Sequence, residues 1–322
     1  MNTPEVISIG EAFIDLVSSA PTTDLSTARS FIKIAGGAPA NVAVGLAKLG
    51  IKTAFLGKVG RDSFGRFVKN ELKRNGVDIR LMIDDPNYKT RLAFVAVTEK
   101  GGRDFEFWEN DPADQHLLQS EIDLEIVSRA KVINIGPFLL LNTSVQKTAF
   151  AIARYAQKMG IILCFDPNIR MSLWSDPQKA VKIFLKMIRL TTILRLNEDE
   201  AKYLTGSNNL NNALSQLLKY GPKLVVITRD KKGCTFATKE FCEDVKGFPI
   251  HAVDTTGCGD GFLAGLLAGL LRSNKQIDDL TRNDLRTICV TANAVGAMVA
   301  TKRGAIAAMP TLKRLQHFLR RK

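Results

Sequence analysis

The run Asp254-Thr255-Thr256-Gly257-Cys258-Gly259-Asp260-Gly261-Phe262 leads straight into a stretch of small residues and leucines, LAGLLAGLL. Glycine-rich backbone entering a helix turns unpaired N–H groups and the positive end of the helix dipole toward one point. Such a point suits a phosphate, or the charge of a transferring phosphoryl group. Asp260 would repel a resting phosphate. It makes better chemical sense as a base that takes a proton from a hydroxyl about to attack phosphorus. Locally, an aspartate near a helix start can also be a plain cap, and that role is open to Asp254 and Asp260 alike.

Two other groups carry chemistry. In Gly36-Gly37-Ala38-Pro39-Ala40-Asn41 the glycines let backbone approach a ligand, Pro39 suits a first helical turn, and Asn41 offers both a donor and an acceptor. Such a turn can bind hydroxyls, although a tight strand-to-helix connection would use the same residues. Asn197-Glu198-Asp199-Glu200 follows the strand-like TTILRL. Carboxylates and an amide at a strand's C-terminal end could hold Mg²⁺, directly or through water, and acidic residues in a first helical turn also simply complement the dipole.

Something must position these groups. VISI (6–9), KTAFLG (52–57), KVINI (131–135), IILCFD (161–166) and KLVVITR (223–229) read as buried strands. Between them lie helical patterns such as 144–159, where Val145, Ala149, Ile152 and Ala156 recur before Gly160. Strand alternating with helix predicts an α/β fold with a parallel sheet covered on both faces. Two segments break the rhythm: residues 11–35, and residues 88–112 with the strands TRLAFVAV and DFEFW joined by Glu99-Lys100-Gly101-Gly102. A hairpin has no room inside a parallel sheet, so these segments should project from it as a small β lid. The expected division is one core over 1–10, 36–87 and 113–322, with 11–35 and 88–112 inserted as the lid.

Composition narrows the classes. The chain has 322 residues, with 45% hydrophobic and 24% charged, which excludes wholesale disorder and a membrane protein. Five cysteines form no C-x-x-C pair and three histidines lie far apart, so neither a disulfide framework nor a zinc site is expected, and the cytoplasm is the expected compartment. Glu5, Glu11 and Asp15 spoil a secretory or transit segment. The net charge of +13 raises nucleic acid or small anions as partners. Its densest cluster, Lys313, Arg314, Arg320, Arg321 and Lys322, lacks interleaved aromatics, which disfavours nucleic acid and leaves the polyanion MgATP.

Together the pieces resemble the ribokinase/PfkB family of sugar kinases, and within it the fructokinase branch. GGAPANVAVGLAKLGIKTAFLGKVG (36–60) is similar to the family's first signature and DTTGCGDGFLAGLL (254–267) to its second. GEAFIDLV (10–17), FDPNIRMSLW (165–174), NEDEAKYLTG (197–206) and TKRGAIAAMP (301–310) follow in the family's order. The resemblance implies a ribokinase-like three-layer sandwich, mostly parallel, with a small β-sheet lid. It also implies ATP-dependent phosphorylation of a sugar's primary hydroxyl, fructose first, with another sugar, 2-keto-3-deoxygluconate or a riboside as alternatives. A catalytically silent scaffold is the alternative of another class, and the intact Gly-x-Gly-Asp at 257–260 speaks against it.

Residue by residue, the resemblance makes Asp260 the base and the backbone of Gly257, Cys258 and Gly259 the anion hole. Asp15, Gly36, Gly37 and Asn41 bind the sugar, and Arg170 lies near substrate and phosphate. Asn197 and Glu200 act near Mg²⁺ and phosphate, Glu200 directly or through water. Thr228 and Gly233 form the nucleotide turn and Asn293 borders adenine. Asp254 and Thr256 lie near a monovalent cation such as K⁺, and the lid can pair with that of a second copy. Four positions depart from the family: Cys258 for alanine, Asp230 for the turn's glycine, and in the lid Arg91 and Glu109, expected to shape sugar choice and to offset one another's charge.

Overall fold

Strand β1 (Val6–Ile9) is wholly buried, with Ile7 and Ile9 on one face of the sheet and Val6 and Ser8 on the other. The computed structural model describes residues 3–97, 103–108 and 111–321. Along them follow β2 (Phe13–Ser18), β3 (Phe31–Gly36), β4 (Thr53–Gly60), β5 (Met82–Asp85), β6 (Leu92–Val97) and β7 (Arg103–Phe107). Then come β8 (Val132–Ile135), β9 (Ile162–Phe165), β10 (Ile193–Asn197), β11 (Leu224–Thr228), β12 (Gly233–Ala237) and β13 (Cys242–Lys246).

Nine of these strands make one sheet in the order β13-β12-β11-β10-β9-β8-β1-β4-β5. It is parallel from β11 to β5 and antiparallel at β11–β12–β13. Helices cover both faces, including Thr143–Met159 and Pro177–Ile188 on one and Ala38–Lys48, Cys258–Ser273 and Arg282–Ala300 on the other. The α/β sandwich read from the sequence is therefore present. One expectation needs correction: a hairpin does fit this sheet, because β12 and β13 extend it at an edge, where a strand has a free side to pair.

The other hairpin does project. β6 and β7 pair antiparallel, β6 runs parallel to β2, and β2 pairs antiparallel with β3, giving a separate sheet in the order β3-β2-β6-β7. The turn Glu99-Lys100-Gly101-Gly102 lies outside the described residues. Lys33 sits over the Phe67 ring at 4.1 Å, tying the back of this sheet to helix Ser63–Arg74.

Close helix packing sets the geometry of the site. Gly261, Gly265 and Gly269 recur every four residues on helix Cys258–Ser273. A Cβ on Gly265 would lie 2.9 Å from Ala292 Cα, and one on Gly261 2.8 Å from Val299 Cγ2, so only glycine lets helix Arg282–Ala300 come this near. On a neighbouring side a Cβ on Gly45 would lie 2.7 Å from Ala264 Cβ, which brings helix Ala38–Lys48 equally close. Ser8 Oγ donates to Pro39 O at 2.7 Å and accepts from Asn134 Nδ2 at 2.9 Å, pinning the first turn of Ala38–Lys48 to the sheet.

Candidate active site

The C-terminal ends of β1, β8, β9, β10 and β11 open toward one cleft, where a parallel sheet ordinarily binds its ligands. Gly257 stands at the N-cap of Cys258–Ser273 in the left-handed conformation (φ 76°), and no side chain caps this helix. Asp260 is therefore not a cap. Its Oδ2 instead accepts a hydrogen bond from Asn41 Nδ2 at 2.8 Å, so residues 219 positions apart meet across the cleft.

Desolvation pushes the Asp260 carboxyl up from 3.8 to about 7, opposed by the Asn41 hydrogen bond and by the charges of Arg195 and Arg170, while Asp166 adds to the rise. A carboxyl poised near neutrality is suited to taking a proton. Asn41 is buried, and its Oδ1 has no partner, leaving an acceptor for an incoming hydroxyl.

The expected anion hole is modified in one respect. Cys258 N–H donates to Thr255 O at 3.2 Å, so it is already engaged. Among the described residues, the N–H groups of Gly257, Gly259 and Asp260 have no acceptor, and these are the ones free to receive an anion. The Cys258 thiol is pushed up to about 12 by burial and by the carboxylates of Asp254, Asp260 and Asp230. It stays protonated at neutral pH, a poor nucleophile rather than a readily oxidised thiolate.

Asp15, on β2, lies against Gly36 at the end of β3, where a Cβ would collide with its carboxylate. Gly37 has φ 107°, and a side chain there would meet the Glu11 carbonyl. These two glycines thus open the floor between the small sheet and Asn41. Arg170 is exposed, and its charge reaches Asp260.

Several expected ligand-binding groups turn out to brace loops. Asn197 caps helix Glu198–Thr205, and Glu200 accepts from Asn197 N at 2.9 Å and from Ile169 N at 2.7 Å. Both Glu200 oxygens are engaged with backbone, and among the described residues no cluster of three His, Cys, Asp or Glu could hold a metal ion. Asp254 Oδ1 accepts from Thr256 N and Oγ1 at 2.9 and 2.7 Å, and its Oδ2 from Gly304 N at 2.9 Å, fixing the loop before the glycines.

Asn293, expected to border adenine, donates to Val245 O and Lys246 O, each at 3.2 Å. Gly233 has φ 101°, and any side chain would strike the β13 backbone. Asp230 takes the left-handed conformation (φ 46°), so the turn keeps a glycine-like backbone despite the substitution, at a strain cost of about 1 kcal/mol.

Beside the small sheet Arg91 already has a carboxylate partner. Arg91 is buried and donates through Nε and Nη2 to Asp114 at 3.1 and 2.9 Å, while its guanidinium lies 5.0 Å from the Phe138 ring centroid. Its partner is Asp114, and Glu109 lies outside the described residues. Sequence reading also missed Glu11, fully buried beside this pair, whose Oε2 has no partner and whose carboxyl burial raises to about 8. It missed Arg195 and Asp166 as well, a buried ion pair at 2.7 Å, though an arginine inside TTILRL was the available signal.

Fold and site together define an ATP-dependent sugar kinase. The match to a family model described as pfkB family carbohydrate kinase extends over residues 3–312, and the chain belongs to that family. It is 36% identical over 322 residues to probable fructokinase-5 of Arabidopsis thaliana, covering 100% of this chain and 99% of the relative. Its structure is similar to a fructokinase with bound ATP from Xylella fastidiosa, with TM-score 0.90, 28% identity and 98% of each chain covered. It is similar also to a fructokinase from Vibrio cholerae O395 in a fructose, ADP and calcium ion bound form, with TM-score 0.87, 31% identity and 98% of each chain covered. Among the described residues no helix is long and apolar enough to cross a membrane.

Proposed function

We propose that this kinase phosphorylates the primary hydroxyl of fructose to give fructose 6-phosphate. The observation that carries the reading is the Asn41–Asp260 contact at 2.8 Å, with a spare Asn41 acceptor beside a carboxyl held near neutral pKa. In the proposed mechanism Asp260 takes the hydroxyl proton as the oxygen attacks the γ-phosphorus of ATP, and the bond from that phosphorus to the β–γ bridging oxygen breaks so that ADP leaves. The free N–H groups of Gly257, Gly259 and Asp260 and the charge of Arg170 receive the negative charge spread over the transferring group. Asp15, Gly36, Gly37 and Asn41 hold the sugar, while Thr228, Gly233 and Asn293 shape the nucleotide side.

Fructose is favoured over a sugar acid for a physical reason. Arg91, the buried cation beside the small sheet, is already matched by Asp114 and has Glu11 beside it, so its charge is not held in reserve for a substrate carboxylate. The small sheet, taken as segments 11–35 and 88–112, would close over the sugar and exclude water that would otherwise accept the phosphoryl group. Ile32 and Phe105, exposed on the same face as Asp15, are available to pair with a second copy, which sedimentation velocity tests.

The function is tested by following ADP release over fructose, ribose, 2-keto-3-deoxygluconate, nucleosides and fructose 6-phosphate, with Asp260→Asn as control. Highest kcat/KM on fructose and loss of turnover in the variant are expected. Preference for another sugar would overturn the substrate, and undiminished turnover in Asp260→Asn the base.

A further inference from the structure

Arg195 is the residue of this site that the motifs do not contain. It lies on β10, and side chains on a buried parallel strand are ordinarily apolar. Leu194 and Leu196 obey that rule, with no exposure, while Arg195 between them is 9% exposed. Burying a guanidinium is costly unless its position is put to use.

Its contacts reach three loops. Nη1 donates to Asp166 Oδ2 at 2.7 Å, and Asp166 Oδ1 in turn accepts from Asn168 N at 3.2 Å. This fixes the start of the loop that carries Arg170. Nη2 donates to Thr228 Oγ1 at 2.6 Å, at the entrance to the nucleotide turn. The flat of the guanidinium lies beneath the helix start: a Cβ on Gly259 would sit 2.7 Å from Nη1 and 2.9 Å from Nη2. Gly259 is thus needed for close approach to Arg195 as well as to a ligand.

Its charge is also shared. Asp166, Glu200 and Asp260 all act on Arg195 as carboxylate neighbours, so one buried cation serves three acids. Nε remains buried without a partner.

We propose that Arg195 is a positioning residue for phosphoryl transfer, its fork locking the Arg170 loop, Thr228 and the Gly259 floor of the anion hole into one unit with a fixed positive charge beneath. This rests on the reading of Asp260 as base and of the helix start as anion hole. The sugar-binding turn at Gly36–Asn41 belongs to other elements, so the proposal separates turnover from sugar affinity. A misplacement of about 1 Å in such a site costs on the order of a hundredfold in rate.

The test compares Arg195→Met and Arg195→Lys with the unaltered enzyme, reading kcat, KM for each substrate, calorimetric fructose affinity and the acidic limb of the pH–rate profile. Arg195→Met is expected to lose on the order of a hundredfold in kcat with fructose affinity unchanged. Its acidic limb should move to higher pH, because a cation that favoured ionised Asp260 is gone. Arg195→Lys, with charge but no fork, should fall between the two in kcat and keep its limb near the original position. A merely structural arginine would lower thermal stability without moving the limb. If Arg195→Met does not fold, Arg195→Lys carries the test through its kcat. Folded variants with unaltered kcat, or an unmoved limb in folded Arg195→Met, overturn the proposal. Asp260→Asn in parallel separates the failures. If it turns over normally the site reading falls, and this proposal with it. If it is inactive while Arg195→Met is unimpaired, only Arg195 is misassigned.

Discussion

Asn41 and Asp260 touch because each stands one helical turn before a residue with almost no side chain, Gly45 in one helix and Ala264 in the other. Where those two meet, the helix axes draw close enough for an amide to reach a carboxylate at 2.8 Å. The contact orients the Asp260 carboxyl, the proposed base, and lowers its proton affinity, against a larger rise caused by burial. Asn41→Leu should therefore lower kcat by about tenfold and move the acidic limb upward. A pH–rate profile with an unmoved limb would show that Asn41 binds sugar without tuning the base.

The raised Asp260 carboxyl predicts both a pH dependence of turnover and a stability cost. On the proposed reading of Asp260 as base, activity requires its ionised form, so kcat/KM should fall as pH drops through about 7. For stability the sign is opposite to that of a salt-bridged acid. The folded protein holds the Asp260 proton more tightly than the unfolded chain, so this group's contribution is favourable below pH about 4 and is lost as pH rises to about 7. Asp260→Asn should be inactive yet more stable at pH 8, by roughly 1–3 kcal/mol after allowance for solvent access through the cleft. Chemical denaturation of both proteins at pH 5 and pH 8 checks it: the gap should widen with pH.

Arg91 predicts a different balance. Removing one member of a buried ion pair strands the other, and Arg91→Met would leave Asp114 beside Glu11 with no cation between them. A loss of about 3–5 kcal/mol in stability is expected. Arg91→Met combined with Asp114→Leu should recover most of it, since two apolar groups leave no charge uncompensated. Urea denaturation of the single and double variants measures the coupling.

Much of the parallel core was legible because its chemistry is local. VISI, KVINI and KLVVITR are short, β-branched and flanked by helical periodicity, and they became β1, β8 and β11 within a residue or two. Gly257, Asp260, Gly36 and Asn41 stood out only as a set, since each motif alone fits a cap or a tight connection equally well and their order along the chain singled them out. The partnerships were not legible. Nothing in the spacing of Arg91 says that it meets Asp114, or that Glu200 spends both oxygens on backbone N–H groups. Such pairings depend on which loops the sheet order brings together. Arg195 was legible only as an anomaly, a charge inside an apolar strand, whose partners at 166, 228 and 259 come from three other elements.

The glycine stripe of helix Cys258–Ser273 should matter to catalysis at a distance. A Cβ at Gly265 would lie 2.9 Å from the Ala292 backbone and 3.0 Å from Val295 Cγ2, and backbone cannot swing aside as a flexible side chain can. Gly265→Val must push Cys258–Ser273 away from Arg282–Ala300, at a cost of about 1–3 kcal/mol or more. The displacement carries Gly257, Gly259 and Asp260 with it, so kcat should fall along with stability. Gly160→Ala is the control. That glycine ends helix Thr143–Met159 with φ 68° and has nothing within 4 Å, so alanine costs about 1 kcal/mol of backbone strain and meets no neighbour. Thermal unfolding should show both variants weakened, while kcat at 25 °C falls only in Gly265→Val. Equal kcat in the two would mean that the helix start does not depend on this packing.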